Sequence, residues 1–166
     1  MRRYRRAVRL LFGAVFVVGG VVHLVLGRSH PESYAVFGDT ALLPQLDQLW
    51  RSFVVPRIAW LTVLLGLLEI VWGLGMAWRR TLALAAWSML LFLLFVTVLG
   101  YGWPASSPLE DVLKNRLPTL VMAAMLLPLL RTSRRPPRGA GRASGLPAAA
   151  GRRDRGGSSA DRTSHR

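Results

Sequence analysis

Residues 58–78 of the chain read IAWLTVLLGLLEIVWGLGMAW, and this stretch decides the fold class. It is apolar over about twenty positions, the length that a helix rising about 1.5 Å per residue needs to cross a hydrocarbon layer of about 30 Å. Glu69, near the middle, is its one charged residue. The stretch therefore predicts a membrane-spanning helix that carries a single acidic side chain.

Other stretches of this kind lie on both sides of it. Residues 10–27 are apolar except for His23, and residues 81–100 carry no charge. Each is long enough to span a bilayer as a helix. Residues 117–130 form a further, shorter run, which spans a bilayer only if its helix begins earlier.

Local signals mark the start of that last helix. Ser107 fits the N-cap position of a capping box, with Pro108 at the first helical position and Glu110 at the third. A helix over residues 109–130 is then long enough to cross the membrane. We thus predict an all-α fold, a transmembrane four-helix bundle formed by residues 1–130.

The distribution of basic residues predicts the orientation. Seventeen of the 22 Lys and Arg residues lie in the N-terminus, at residues 79–80 and after residue 130, whereas five lie in the two other connecting segments together with five acids. Because positive charge is retained on the cytoplasmic side, both termini are predicted to be cytoplasmic, an N-in/C-in topology. Nearly all the basic residues are arginine, which indicates a GC-rich genome and hence the cell membrane of a bacterium.

The first outer segment, residues 28–53, contains an amphipathic pattern. Behind an N-cap expected at residues 39–40, one helical face carries Leu42, Leu43, Leu46, Leu49 and Trp50. The pattern predicts a short interfacial helix that lies on the bundle or on the outer leaflet. An ordinary packed loop would account for the same residues, so both interpretations stay open.

Residues 131–166 are rich in Arg, Gly, Ser, Ala and Pro and hold too few apolar side chains to form a core. They predict a disordered cytoplasmic tail whose arginines contact anionic lipids. The net charge of +14 is thus explained by membrane orientation. Because the tail has no interleaved aromatic residues, nucleic acid is not an expected partner.

The composition also limits the chemistry. The chain has no cysteine, which excludes disulfides, thiolate metal sites and CxxC redox chemistry. Three scattered histidines form no metal-site pattern, and the sequence shows no nucleotide-binding loop and no nucleophile–base pair. The residues alone therefore predict no metal and no cofactor, and they do not favour catalysis.

Two ionisable side chains within the apolar stretches mark the candidate site. Since a charged residue at the centre of a membrane helix costs about 2.5–3.5 kcal/mol on insertion scales, Glu69 and His23 are functional candidates. Each follows a glycine by three residues, on a face of small residues that in membranes meets other helices. The helix-packing residues predicted on this basis are Gly13, Gly20, Gly27, Gly66 and Gly73.

Depth separates the two ionisable side chains in this interpretation. His23 is expected about 6 Å and Glu69 about 18 Å from the outer surface, too far apart for a direct ion pair. Residues expected at the depth of His23 complete the candidate intramembrane polar site, which comprises Glu69, His23, Arg116, Asn115 and Arg57. The prediction is an outward-facing polar vestibule with Glu69 at its floor. A headgroup-level His23 bonded to the backbone, and a protonated Glu69 hydrogen-bonded across helices for packing, would also explain these residues.

Three motifs resemble those of a known family. The first helix carries Gly13-x-x-Phe16-x-x-x-Gly20-x-x-His23, the next segment ends in Tyr34-x-x-Phe37-Gly38, and the second helix carries Gly66-x-x-Glu69-x-x-x-Gly73 before Arg79-Arg80. Over residues 9–128 the chain resembles the DoxX-like family of small four-helix membrane proteins. The resemblance implies association with membrane redox assemblies, alongside other subunits, and suggests a quinone as the cofactor.

Two functions are compatible with these features. The first is a non-catalytic subunit or accessory of a redox- or stress-related membrane assembly, bound in the lipid bilayer to a protein partner or to copies of itself. The second is the binding or turnover of a small lipophilic ligand, a quinone or a lipid, in an intrabundle pocket above Glu69. The residues do not separate these two functions, and we predict the first. A proton-coupled carrier is disfavoured because the spans hold one acid and show no pair of broken helices.

Overall fold

The computed structural model describes residues 2–132, with side chains described for residues 3–130. This part of the chain is helical apart from short connecting segments. Its α-helices are α1 (Arg2–Ser29), α2 (Pro44–Leu49), α3 (Ile58–Gly75), α4 (Leu82–Leu99), α5 (Pro108–Asp111) and α6 (Leu117–Thr132). The predicted disordered tail lies, from residue 133 onward, outside the described residues.

Helical turns join the short helices to the long ones. A wide π turn at Trp50–Val54 and a 3₁₀ turn at Val55–Arg57 connect α2 to α3, and a second π turn at Val112–Arg116 connects α5 to α6. Within the described residues, four helical segments are then long and apolar enough to cross a membrane. The all-α class and the multi-pass membrane character predicted from the sequence are confirmed.

The fourth segment begins at the predicted cap. Ser107 is the N-cap of α5, and its hydroxyl accepts a hydrogen bond of 3.2 Å from the backbone N–H of Glu110. The Glu110 carboxylate accepts a hydrogen bond of 2.7 Å from the backbone N–H of Ser106, one residue before the cap. The cap is therefore formed, with the reciprocal bond of a capping box shifted by one residue.

The segment after α1 differs from the prediction. Residues 39–40 do not cap a helix but end a 3₁₀ helix, Pro31–Thr40, that was not predicted. The short helix α2 has Leu43 as its N-cap and Pro44 at its first position, where the missing N–H of proline leaves no hydrogen bond unmade. The cap expected at residues 39–40 was wrong because this proline sets the start of the helix.

α1 and α3 run antiparallel and pack through their glycines. A Cβ atom built on Gly66 would lie 2.6 Å from the backbone oxygen of Gly20, and one built on Gly73 would lie 2.8 Å from that of Gly13. The two backbones are therefore in direct contact, as small residues permit between membrane helices. The positions where a Cβ would contact the facing helix include all five predicted packing glycines, Gly13, Gly20, Gly27, Gly66 and Gly73.

The hydrophobic core fills one half of the bundle. We call the end that carries the start of α1 and residues 76–81 the closed end, and the end that carries residues 30–57 and 100–107 the loop end. The core lies toward the closed end, and its fully buried side chains include Phe12, Met76, Met89, Leu126 and Leu129.

An aromatic cluster separates this core from the loop end. The Phe16 ring lies 6.4 Å from that of Trp72 and 6.0 Å from that of Phe92, and the Trp72 and Phe92 rings lie 5.9 Å apart, all between centroids. These distances are typical of favourable aromatic contacts. Beyond the cluster, toward the loop end, the helices no longer fill the space between them.

Candidate functional site

A cavity of about 270 Å³ lies between the four long helices on the loop-end side of the aromatic cluster. Its wall is mainly apolar and aromatic, and includes Phe16, Phe92, Leu93, Phe95, Leu99 and Met122. The polar side chains that reach it are His23, Tyr34, Glu69, Tyr101 and Thr119. An apolar chamber with a few convergent polar groups is the usual form of a small-molecule site.

Glu69 supplies the buried acid of this cavity. Its side chain is 6% exposed, and its Oε2 has no hydrogen-bond partner among the described residues. His23 Nε2 lies 3.7 Å from that oxygen, beyond hydrogen-bond distance. A buried polar atom without a partner costs about 1–3 kcal/mol, so its presence calls for a functional explanation.

Tyr34 and His23 continue the polar groups toward the loop end. The Tyr34 hydroxyl and His23 Nδ1 form a hydrogen bond of 2.7 Å. Burial, and secondarily the charge of Glu69, raises the pKa of the Tyr34 phenol above its ordinary value, so the hydroxyl keeps its proton. In the tautomer whose Nδ1 accepts this bond, a neutral imidazole carries its own hydrogen on Nε2, the nitrogen that faces Glu69.

We call Tyr34, His23 and Glu69 the polar row. It presents an imidazole nitrogen beside a carboxyl oxygen that lacks a hydrogen-bond partner among the described residues, at the edge of an apolar chamber. These groups can hold one polar atom of a ligand from two sides, and an imidazole next to a carboxyl can also accept or release a proton. The arrangement suits a small molecule that is apolar except at one end.

The depths estimated from the sequence placed His23 and Glu69 too far apart. Because Gly20 faces Gly66, His23 lies three residues from that level toward the loop end. Glu69 lies three residues from the same level toward the closed end. The backbone positions of His23 and Glu69 are therefore about 9 Å apart along the axis. Helical side chains lean toward the N-terminus of their helix, and since α1 and α3 are antiparallel, these two lean toward each other. The expectation that depth prevents a close charge contact was therefore wrong.

Arg116 is buried, but it serves the connecting segments and not the cavity. Its guanidinium donates hydrogen bonds to the backbone oxygens of Thr97 at 2.6 Å and Val98 at 3.2 Å, and to that of Thr40. It also pairs with Asp111 at 3.2 Å. Arg116 thus caps the last turn of α4 and ties the end of the 3₁₀ helix to it.

Asn115 and Arg57 also lie outside the cavity. The Asn115 side-chain oxygen accepts hydrogen bonds from the backbone N–H groups of Tyr101 at 3.2 Å and Trp103 at 3.0 Å, which orders the segment after α4. Arg57 is exposed, with its guanidinium 4.4 Å from the centre of the Phe53 ring. Of the predicted site residues, the structure therefore brings together His23 and Glu69 and places the other three elsewhere.

Tyr34 belongs to the site but was not predicted there. The Trp50 indole N–H donates a hydrogen bond of 2.8 Å to the Tyr34 backbone oxygen. The Phe37 ring lies 5.9 Å from that of Tyr34 and 6.1 Å from that of Trp50. Residues three apart in a 3₁₀ helix share one edge, so the Tyr34-x-x-Phe37 spacing was the available signal.

The fold and the polar row define the class of protein: a multi-pass membrane protein with a buried polar site in an apolar cavity. Among residues 2–132, no group of three His, Asp or Glu lies close enough together to hold a metal ion. In comparisons with known proteins, no family model, no curated protein and no solved structure matches this chain.

Proposed function

We propose that this protein binds a small lipophilic molecule inside its helix bundle, with the polar end of the ligand at Glu69. The observation that carries the proposal is the buried Glu69 Oε2, which has no hydrogen-bond partner among the described residues and borders a cavity of about 270 Å³. A carboxyl retained for packing alone would bond to a neighbouring helix. A ligand that donates a hydrogen bond would remove the cost of burying this oxygen.

The DoxX-like resemblance and the accessory-subunit role stay predictions. The resemblance suggests a quinone as one ligand, and the apolar, aromatic wall of the cavity is compatible with a quinone ring. A subunit role is compatible with ligand binding, because a subunit can hold a ligand for its assembly. Affinity purification from native membranes that recovers no reproducible partner would count against the subunit role.

We further propose that both termini are cytoplasmic, which turns the loop end outward. α2 and the residues before it then lie at the outer leaflet, where the exposed side chains of Leu42, Leu43 and Leu49 support an interfacial position. Because the chain has no native cysteine, single cysteines test this directly. Ser52→Cys should react with a membrane-impermeant maleimide on intact cells and Arg79→Cys only after lysis; the reverse pattern would overturn the orientation.

The ligand is tested by native mass spectrometry of protein purified in mild detergent, with extraction of the bound small molecules. Wild type is compared with Glu69→Ala and Glu69→Gln. The matched control is Ser88→Ala, because Ser88 is a polar side chain on α4 that does not line the cavity. We expect one specific molecule in wild type and in the Ser88→Ala variant, and its loss from both Glu69 variants.

Two results would contradict the proposal. If wild type carries only bulk lipid in the same proportions as the Glu69 variants, the cavity does not select a ligand. If the Glu69→Gln and Glu69→Ala variants retain a specific molecule at wild-type occupancy, the molecule binds elsewhere. The accessory-subunit prediction would gain weight in the first case.

A further inference from the structure

We infer that the ligand is an amphiphile with one ring-sized head that bears a hydroxyl group and one long apolar tail, and that the tail leaves the cavity sideways into the bilayer. This inference rests on the proposed function, since it specifies the ligand of the same site. It follows from the size of the cavity, from the places where the cavity reaches the surface of the bundle, and from the chemistry of the polar row.

The size of the cavity limits what it can enclose. An apolar cavity of about 150 Å³ holds benzene, and pockets that enclose drug-sized ligands begin at about 300 Å³. The cavity of about 270 Å³ therefore accommodates one or two rings but not a ring together with a long chain. Any long apolar tail must lie outside it.

At two places on the sides of the bundle, the wall of the cavity is formed by side chains that also lie on the outer surface. Val15 on α1 and Phe95 on α4 both line it, yet they are 42% and 44% exposed. Both lie within the membrane-spanning parts of their helices, so the surface they expose faces acyl chains. A tail that passes either side chain would enter an environment as apolar as itself.

The loop end of the cavity is lined by described residues that are less exposed than Val15 and Phe95. Tyr34 and Trp50 cover it, at 4% and 9% exposed, and the hydrogen bond from the Trp50 indole to the Tyr34 backbone oxygen holds them together. The Phe37 ring packs against both rings. Entry from the bilayer therefore requires less rearrangement than entry from water.

The polar row selects the chemistry of the head. A hydroxyl both donates and accepts hydrogen bonds, so it satisfies Glu69 Oε2 whether the carboxyl is ionised or protonated. The oxygen of the ligand hydroxyl can also accept a hydrogen bond from His23 when the imidazole carries its hydrogen on Nε2, which lies 3.7 Å from Glu69 Oε2. A carbonyl head accepts only, and it would leave an ionised carboxylate unpaired. The site thus favours a hydroxylated ring, as in a phenol or a ring alcohol.

Two probes distinguish binding of the head from binding of the tail. Para-cresol carries the hydroxylated ring alone, and para-dodecylphenol adds a long alkyl tail. Each is added to the full chain in lipid nanodiscs, and bound probe is counted by native mass spectrometry. Val15→Trp and Phe95→Trp enlarge the side chains at the openings. Val18→Trp and Leu94→Trp are the matched controls, since both positions are exposed on the same helices but do not line the cavity.

We expect wild type and both controls to bind the two probes. Val15→Trp and Phe95→Trp should lower the occupancy of para-dodecylphenol by about tenfold, as expected for forcing extra volume into an occupied space. They should change the occupancy of para-cresol by less than about twofold, because para-cresol has no tail that must pass either side chain. The second opening variant keeps the test valid if the first does not fold.

The other outcomes overturn the inference in different ways. If both opening variants bind the tailed probe like wild type, the tail does not pass these side chains, and the proposed ligand site is left standing. If they lose both probes equally, the whole ligand lies inside the cavity. If wild type binds neither probe, a hydroxylated ring is not the head, and the native ligand found by extraction decides whether the proposed function stands without it.

Discussion

Gly20 and Gly66 touch through their backbones: a Cβ atom built on Gly66 would lie 2.6 Å from the backbone oxygen of Gly20. Gly13 and Gly73 make the equivalent contact seven residues away along each helix. Seven residues are about two helical turns, so both contacts lie on one face of each helix. They fix the position of α1 along α3, and this position brings the polar row together.

Substitution of Gly66 by leucine should therefore weaken the bundle. The new side chain would meet the α1 backbone at Gly20 and the side chain of Leu24, which a Cβ would approach to 2.9 Å. We expect the free energy of unfolding to fall by about 1–3 kcal/mol, the usual cost of overpacking. Titration with sodium dodecyl sulfate in mixed micelles, followed by tryptophan fluorescence, measures the change.

Ala59→Leu is the control for this substitution, because Ala59 is an exposed small residue on the same helix. Its effect should stay within about 0.5 kcal/mol, as for most surface changes. Equal unfolding midpoints for the Gly66→Leu and Ala59→Leu variants would show that the glycine contact does not hold the two helices together.

Glu69 should lower the stability of the ligand-free protein. Methionine is of similar length and carries no group that needs a hydrogen bond, so Glu69→Met should raise the free energy of unfolding by about 1–3 kcal/mol. Glu69→Gln keeps a polar group in the same place and should show little of this gain. The same detergent titration, on protein freed of small molecules, compares the two variants. A Glu69→Met variant less stable than wild type would mean that the carboxyl has a structural role.

The spans of the fold could be predicted because apolar length is a property of the sequence alone. The Ser107 cap could be predicted for a similar reason, since it depends on residues within one turn. The 3₁₀ helix Pro31–Thr40 could not, because distant groups hold it. Trp50 bonds to its backbone at Tyr34, and Arg116 bonds to its backbone at Thr40.

The site was predicted in part. The cost of an ionisable group in an apolar span identified Glu69 and His23 without any structure. Depth alone then grouped His23 with Arg116, but depth does not say which way a side chain faces. Arg116 instead turns toward the end of α4 and away from the cavity. The distance between His23 and Glu69 also depends on helix register and side-chain lean, which no single span reveals.

Substitution of Arg116 should lower the stability of the protein far more than substitution of Arg57. Arg116→Met would leave Asp111 and the last carbonyl groups of α4 without their cation, at a cost of about 3–5 kcal/mol for a broken buried pair. Arg57→Met removes an exposed charge and should change stability by at most about 0.5 kcal/mol. Detergent titration compares the two variants. If the two losses are similar, the hydrogen bonds of Arg116 do not hold the segments together.

The Tyr34 hydroxyl can be tested through its effect on alkaline stability. Tyr34→Phe removes the hydrogen bond to His23 Nδ1 and should lower the free energy of unfolding by about 0.5–1.5 kcal/mol near neutral pH. Tyr4→Phe is the matched control, since Tyr4 donates its hydroxyl to the Met125 backbone oxygen at an exposed position far from the cavity.

The pH dependence shows whether the folded protein buries the Tyr34 phenol. Burial raises the pKa of the Tyr34 phenol in the folded protein above its unfolded value of about 10. The stability that this proton contributes is therefore complete below about pH 10 and is lost as the pH rises through the folded pKa. Wild type and the Tyr4→Phe variant should lose stability in that range more steeply than Tyr34→Phe. Parallel pH profiles for all three would mean that the folded protein does not bury the Tyr34 phenol as the cavity lining requires.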